Sequence, residues 1–79
     1  MTAAERVASF LVELMARFDA QHTLALPMPR EDIADYLGLT VETVSRVLSA
    51  LKQAGVIALP TPQRVLICNR HALFDLAES

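Results

Sequence analysis

Cysteine and histidine are scarce in this sequence, which has one cysteine and two histidines. The single cysteine, Cys68, cannot form an internal disulfide, and with His22 and His71 isolated there is no cluster with metal-ligand spacing. A Ser-His-Asp or Cys-His arrangement and a phosphate-binding glycine loop are also missing. We therefore expect no metal and no cofactor, and we do not expect an enzyme.

Long hydrophobic runs are absent as well. The apolar runs are a few residues each, far short of the roughly 18 residues that a membrane span needs. The start of the chain, MTAAERVASF, lacks the basic and apolar regions of a signal peptide. We expect a soluble protein of the cytoplasm. Its 79 residues suit one small domain, so residues 1–79 are predicted to fold as a single unit.

Positive charge is also limited. Seven Lys and Arg residues stand against nine Asp and Glu residues, which gives a formal net charge of −2. Proteins that bind nucleic acid usually display a basic face, so this balance argues mildly against a nucleic-acid partner. The objection depends on where the charges lie, because a protein with a negative net charge can carry a locally basic surface.

The first periodic stretch predicts a helix over about residues 3–19. Thr2 followed by Glu5 matches the capping box, in which each side chain satisfies an unpaired amide of the first turn. Apolar residues then recur at the spacing of one helix face: Val7, Phe10, Leu11, Leu14, Met15 and Phe18. This face is expected to enter the core.

Residues 30–54 have the pattern of a helix-turn-helix. The preceding HTLALPMPR is a connector or short strand, because each proline disfavours helix at the residue before it. The short helix REDIADYL ends at a glycine that can adopt the positive φ of a C-terminal cap, and Thr40 can cap a second helix over about 41–54. The motif needs a small residue at the helix crossing, a glycine at the turn and apolar residues in the angle between the helices. The sequence supplies all four: Ala34, Gly38, Val44 and Val47.

The second helix divides into two faces. One stripe is apolar and comprises Val41, Val44, Val47, Leu48 and Leu51. The opposite stripe is polar and comprises Glu42, Ser45, Arg46, Ser49 and Lys52. The helix is therefore predicted to pack through one face and to present the other to solvent.

After Gly55 the pattern becomes strand-like. VIAL and RVLIC are rich in β-branched and aliphatic residues, and PTPQ between them is predicted to be a hairpin connection of about four residues. A hairpin after such a helix is a wing, here residues 56–68. Cys68 at its end is interpreted as a small buried apolar residue.

Asn69 can cap a last helix over about residues 70–78. Three apolar residues of this helix can close the core beneath the first helix: Leu73, Phe74 and Leu76. The predicted fold class is therefore mainly α with a small β hairpin, a winged helix-turn-helix.

The segment MPREDIADYLGLTVETVSRVLSALKQAGVI resembles the DNA-binding domain of the Crp/Fnr transcription regulators. Its sharpest element is VETVSR, because a Glu followed by Ser-Arg three and four residues later is the pattern of the Fnr-like and FixK-like branch. The resemblance implies binding of double-stranded DNA at a TTGAT-like half-site, repeated as an inverted pair. It also implies that the intact regulator is a homodimer with a sensor barrel outside this sequence, and it makes RNA polymerase a candidate partner.

Two departures from the family pattern concern prolines. Pro29 stands where relatives often have a Thr or Ser cap, so entry into the helix relies on the fixed φ of proline. Pro60 and Pro62 stiffen a wing tip that is often glycine-rich in relatives. Neither departure affects the residues expected to contact bases.

The chemistry of the second helix agrees with this interpretation. Arg46 can donate two hydrogen bonds to guanine, Glu42 can accept from cytosine N4, and Ser45 is short enough to approach a base edge or a thymine methyl. The three lie close together near the N-terminus of the helix, the end that enters the major groove. Candidate phosphate contacts are Arg30, Thr40, Thr43, Lys52 and Arg64.

Two alternatives remain open. Glu42 and Arg46 can be an ordinary surface pair at i, i+4, contributing about 0.3–0.5 kcal/mol to stability. The domain can also be a winged-helix module that binds another protein, without DNA, through its acidic helix and hydrophobic wing. The charge distribution favours DNA, because five acidic residues are predicted to lie on the first and last helices, away from the basic Arg46, Lys52 and Arg64: Glu5, Glu13, Asp19, Asp75 and Glu78.

Overall fold

The computed structural model describes residues 1–78, which form four helices and a three-stranded antiparallel sheet. The first half of the chain forms helix α1, strand β1 and helix α2, which span Ala3–Arg17, Thr23–Ala25 and Arg30–Leu37. The second half forms helix α3, strands β2 and β3 and helix α4, which span Val41–Gln53, Ile57–Thr61, Arg64–Ile67 and Arg70–Ala77. The predicted fold class, a mainly helical winged helix-turn-helix, is confirmed.

Helix α1 begins with the predicted capping box. The Thr2 amide donates to Glu5 Oε1 at 2.6 Å, and the Glu5 amide donates to Thr2 Oγ1 at 3.1 Å. The helix ends two residues before the predicted end, because Asp19 adopts left-handed backbone with φ 51°. Phe18 is 53% exposed at this reversal, so the prediction that it belongs to the buried stripe is wrong.

The sheet contains one strand more than the predicted hairpin. Strand β1 pairs antiparallel with β3, with Thr23 opposite Leu66 and Ala25 opposite Arg64, and the strand order is β1-β3-β2. Its central residue Leu24 is buried while its two neighbours are exposed. Of the two alternatives for the HTLALPMPR segment, the structure therefore contains the short strand.

The wing connection is shorter than predicted. Pro60 and Thr61 belong to β2, so the turn itself consists of Pro62 and Gln63. The β2–β3 register is irregular between Ala58 and Thr61. Proline has no amide N–H to donate to a sheet, so it is tolerated mainly at edge strands and irregularities. Pro60 meets both conditions, because β2 lies at the edge of the sheet and its register is irregular here.

The helix-turn-helix has the predicted steric features. Ala34 is 2% exposed, Val44 is fully buried and Val47 is half-buried against the core. Gly38 has φ 70°, and its amide donates to the Ala34 carbonyl at the end of α2. Pro29 provides no side-chain cap for α2, whereas Thr40 accepts a hydrogen bond from the Thr43 amide and caps α3.

A single hydrophobic core lies between the helices and the inner face of the sheet. Its fully buried large side chains come from all four helices and all three strands: Val7, Leu11, Leu14, Leu24, Ile33, Val44, Ile57, Val65 and Leu73. Helix α4 packs on α1 as expected, with Leu73 buried and Phe74 and Leu76 half-buried.

Two further predictions about burial are wrong. Cys68 is exposed, because it follows the buried Ile67 at the end of the alternating strand β3. Val41, assigned to the apolar stripe of α3, is 40% exposed. It is the first residue of the helix, and the buried face of α3 comprises Val44, Leu48 and Leu51.

Candidate nucleic-acid interface

Helix α3 is fixed by its apolar face and leaves its polar face free. Val44, Leu48 and Leu51 are buried at the spacing of one helix stripe. All five residues of the opposite stripe are exposed: Glu42, Ser45, Arg46, Ser49 and Lys52. The rigid core therefore determines the direction in which this polar stripe points.

The three residues expected to contact bases lie together at the start of this stripe. Arg46 Nη2 donates to Glu42 Oε1 at 2.5 Å across one helical turn. The side chains are 69% and 79% exposed respectively, and Ser45 lies beside them in the sequence. An exposed pair of this kind adds about 0–1 kcal/mol to stability. Its larger effect is on geometry, because Glu42 holds one nitrogen of the guanidinium and leaves its other donors facing solvent.

Two of the candidate phosphate contacts form the cap of α3. Thr40 Oγ1 accepts from the Thr43 amide at 3.1 Å and donates to Thr43 Oγ1 at 2.9 Å. Because the Thr43 oxygen accepts that bond, its own hydroxyl proton is free to donate elsewhere. The two threonines thus place a hydroxyl donor beside the amides of the first helical turn, where the helix dipole favours an anion.

Arg30 is the first residue of α2 and faces the groove between this helix and the wing turn. It lines a groove of about 280 Å³ together with Val41, Pro62 and Gln63. Partial burial lowers the pKa of Arg30 from its ordinary value, although arginine stays protonated in proteins at neutral pH. Gln63, which lines this groove, is a further candidate for a DNA contact that the sequence pattern did not single out. The available signal was its position at the tip of the predicted hairpin, where an amide side chain can contact nucleic acid.

The remaining two candidates for phosphate contacts are Lys52 and Arg64. Lys52 is in the last turn of α3, ten residues after Glu42, which corresponds to about 15 Å along the helix axis. Arg64 is the first residue of β3, directly after the wing turn, and is exposed. The structure therefore brings together Glu42, Ser45 and Arg46, and places Lys52 at the opposite end of the same helix.

Five of the nine acidic residues lie in α1 and α4 or just after these helices, close to where the sequence predicted. Glu5 and Glu13 are in α1, Asp19 follows it, Asp75 is in α4 and Glu78 caps that helix. The polar stripe of α3, by contrast, has two cations and one anion. The net charge of −2 is thus compatible with a basic patch on one face.

Comparison with known proteins assigns the fold and these residues to a family. Residues 5–76 match the model of the Crp-like helix-turn-helix domain. The chain belongs to this family. The matched range of the Crp-like domain runs from Glu5 in α1 to Leu76 in α4, and it includes the wing and every candidate contact residue named above.

Relatives of the Crp-like domain are transcription regulators. The chain is 52% identical over 77 residues to the nitrogen fixation regulation protein FixK of Azorhizobium caulinodans, which covers 91% of this chain and 31% of that protein. It is 46% identical over 85 residues to the transcriptional activator protein FnrL of Cereibacter sphaeroides, which covers 96% of this chain and 34% of that protein. These names support the predicted Fnr/FixK-like branch and agree with the prediction that the chain is not an enzyme.

A solved structure shows the same fold. FixK2 from Bradyrhizobium japonicum superposes with a TM-score of 0.89 at 48% identity, covering 95% of this chain and 38% of that one. The chain thus spans about one third of the length of the curated relatives it matches. Within residues 1–78 the Crp-like domain has no helix long and apolar enough to cross a membrane.

Proposed function

We propose that this domain binds double-stranded DNA in a sequence-dependent manner, with α3 in the major groove of a TTGAT-like half-site. The observation that carries the proposal is the exposed cluster of Glu42, Ser45 and Arg46 on a helix whose other face is buried. A surface pair alone would not support it. Here the pair lies on the second helix of a Crp-like helix-turn-helix, the element that places side chains against base edges.

Each residue has a role that suits its chemistry. Arg46 donates to O6 and N7 of the guanine, Glu42 accepts from a cytosine amino group, and Ser45 approaches a neighbouring base edge. Glu42 also orients Arg46, since the two are hydrogen-bonded before DNA is present. An oriented guanidinium loses less side-chain freedom on binding than a mobile one.

The phosphate contacts surround this cluster. Thr40 and Thr43, at the start of α3, contact a phosphate of one DNA strand. Arg30 and Arg64 lie beside the wing turn. Lys52 neutralises a phosphate near the other end of α3. These contacts fix the orientation of the domain on the duplex and contribute affinity that depends on salt.

The intact regulator is proposed to act in the cytoplasm as a homodimer on an inverted repeat, with RNA polymerase as a candidate partner. Titration of the domain with fluorescent duplexes tests the function directly. Fluorescence anisotropy at fixed salt should show tighter binding to a TTGAT half-site than to a scrambled duplex of the same composition. Equal binding to both duplexes, or none, would contradict base recognition, and capture of a protein partner unaffected by Arg46→Ala would then favour the protein-interaction module.

A further inference from the structure

Arg6 connects α1 to the turn of the helix-turn-helix. Its Nη1 donates to the Leu37 carbonyl at 3.1 Å in a partly buried contact between residues 31 apart in the sequence. Leu37 is the last residue of α2, and Gly38 follows it in left-handed conformation. A Cβ atom built on Gly38 would lie 3.5 Å from the same Arg6 nitrogen. The guanidinium therefore lies directly against the turn.

This contact satisfies a group that the helix itself leaves unpaired. The last four carbonyls of a helix have no partner within it. At the end of α2, the Ala34 carbonyl accepts from the Gly38 and Leu39 amides, and the Asp35 carbonyl accepts from the Gly38 amide. The Leu37 carbonyl accepts from Arg6.

The charge of Arg6 suits this position as well. The C-terminal end of a helix favours a cation, and the last turn of α2 contains no basic residue of its own. Arg6 supplies the positive charge from a different helix. Since α1 is packed into the core through Val7 and Leu11, the guanidinium is attached to a rigid support.

Fixing the Leu37 carbonyl fixes the start of α3. Only Gly38 and Leu39 lie between Leu37 and the α3 cap Thr40, and the amides of both are hydrogen-bonded back to α2. A shift of the turn would therefore move α3, and with it Glu42 and Arg46, which follow the cap Thr40 in the chain. Within residues 1–78 the side chain of Arg6 donates to Leu37 and forms no hydrogen bond or ion pair with Glu42 or Arg46.

We propose that Arg6 is a positioning residue for DNA recognition: it holds the α2–α3 turn and thereby sets the orientation of the base-contacting cluster. This inference rests on the proposed function. It differs from a role in phosphate binding, which would weaken all duplexes alike and reduce the salt dependence. It also differs from a purely structural role, which would lower thermal stability without changing the preference among duplexes in the folded domain.

Arg6→Met tests the proposal, because methionine keeps an unbranched side chain and removes the donor and the charge. We expect about tenfold weaker binding to the TTGAT half-site and unchanged binding to a scrambled duplex, with the slope of log K against log salt unaltered. Arg6→Lys, which keeps a charged donor, should restore most of the preference. The matched control is Arg17→Met, since Arg17 lies on the same helix and its side chain makes no hydrogen bond or ion pair within residues 1–78.

Far-UV circular dichroism at the assay temperature establishes that each variant is folded. Should Arg6→Met fail to fold, Arg6→Gln carries the same expectation, because it removes the charge and shortens the donor. Loss of the native spectrum in both variants, retention of the full duplex preference, or a reduced salt slope would each overturn the positioning role. A parent domain without any preference would overturn the proposed function together with this inference, whereas a preference in the parent that survives in Arg6→Met overturns this inference alone.

Discussion

Arg46 and Glu42 form a hydrogen-bonded ion pair across one turn of α3, with 2.5 Å between Nη2 and Oε1. Both partners are predominantly exposed, so water screens the pair and its contribution to folding is small. The same pair lies on the polar stripe of a helix whose opposite stripe is buried. Its importance is therefore expected to appear in DNA binding rather than in stability.

Replacing Arg46 by alanine should separate these two effects. Binding to the TTGAT half-site should weaken by about 1–3 kcal/mol because the donors to guanine are lost. The free energy of unfolding should change by no more than about 1 kcal/mol. Anisotropy titrations and thermal melts measure the two quantities, and Arg17→Ala serves as the charge-matched control. Equal losses on matched and scrambled duplexes would indicate that Arg46 contacts phosphate only.

Lys52 and Arg64 are expected to contact phosphates without contributing to sequence preference. Alanine at either position should weaken binding to all duplexes by the same factor, because phosphates are common to every sequence. Each lost contact should also reduce the slope of log K against log salt by about 0.9. Titrations at several salt concentrations provide both numbers. An unchanged slope in both variants would argue against these two assignments.

The turn of the helix-turn-helix should be sensitive to side chains at Gly38. Gly38→Val is expected to destabilise the domain by at least about 1 kcal/mol, since a β-branched residue resists the observed φ of 70°. Gly38→Asn is the matched control, because asparagine adopts left-handed backbone more readily. Chemical denaturation gives the free energies of unfolding. Equal values for the valine variant and the parent would contradict the observed turn geometry.

Ala34 should tolerate no enlargement. It is 2% exposed and is predicted to lie where α2 and α3 cross, so Ala34→Leu should overpack the crossing and cost about 1–3 kcal/mol of folding free energy. The same substitution at the exposed Ala50 of α3 should cost far less. A melting temperature of Ala34→Leu equal to that of the parent would mean that the helices do not cross at this residue.

The capping box of α1 should make stability depend on pH. The hydrogen bond from the Thr2 amide lowers the pKa of Glu5 below its ordinary value of 4.5. A carboxylate with a lowered pKa stabilises the fold above its unfolded-state value, and this contribution is lost as the pH falls through the folded-state value. The melting temperature of the parent should therefore exceed that of Glu5→Gln at about pH 6, and the difference should shrink toward about pH 3. A constant difference would contradict the ionised cap.

Local features of this fold were predictable from the sequence, and long-range features were not. The Thr2–Glu5 cap, the Gly38 turn and the buried stripe of α3 depend on spacings of three or four residues. Strand β1 could not be distinguished from a connector because its pairing partner β3 lies about forty residues away, as with Thr23 and Leu66. The Arg6–Leu37 contact spans 31 residues, and no local pattern indicates it.

The errors in burial have the same origin. Phe18 fits the helical period, but the left-handed Asp19 ends the helix and leaves the ring in solvent. Val41 fits the period of α3, but it is the first residue of the helix and is 40% exposed, whereas the buried face begins at Val44. At the candidate site, the residue types, their common face and the Glu42–Arg46 pair could be predicted, whereas the bond from the Thr40 hydroxyl to Thr43 Oγ1 and the contact from Arg6 required the folded chain.

The central claim is that Arg46 contacts a guanine, and a double-mutant cycle between protein and DNA tests it most directly. The four titrations combine the parent domain or Arg46→Ala with the TTGAT half-site or a half-site in which the G·C pair is replaced by A·T. We expect each single change to weaken binding and the two together to cost little more than one, a coupling of about 1–3 kcal/mol. Additive losses, with a coupling near zero, would show that Arg46 does not contact this base and would contradict the account.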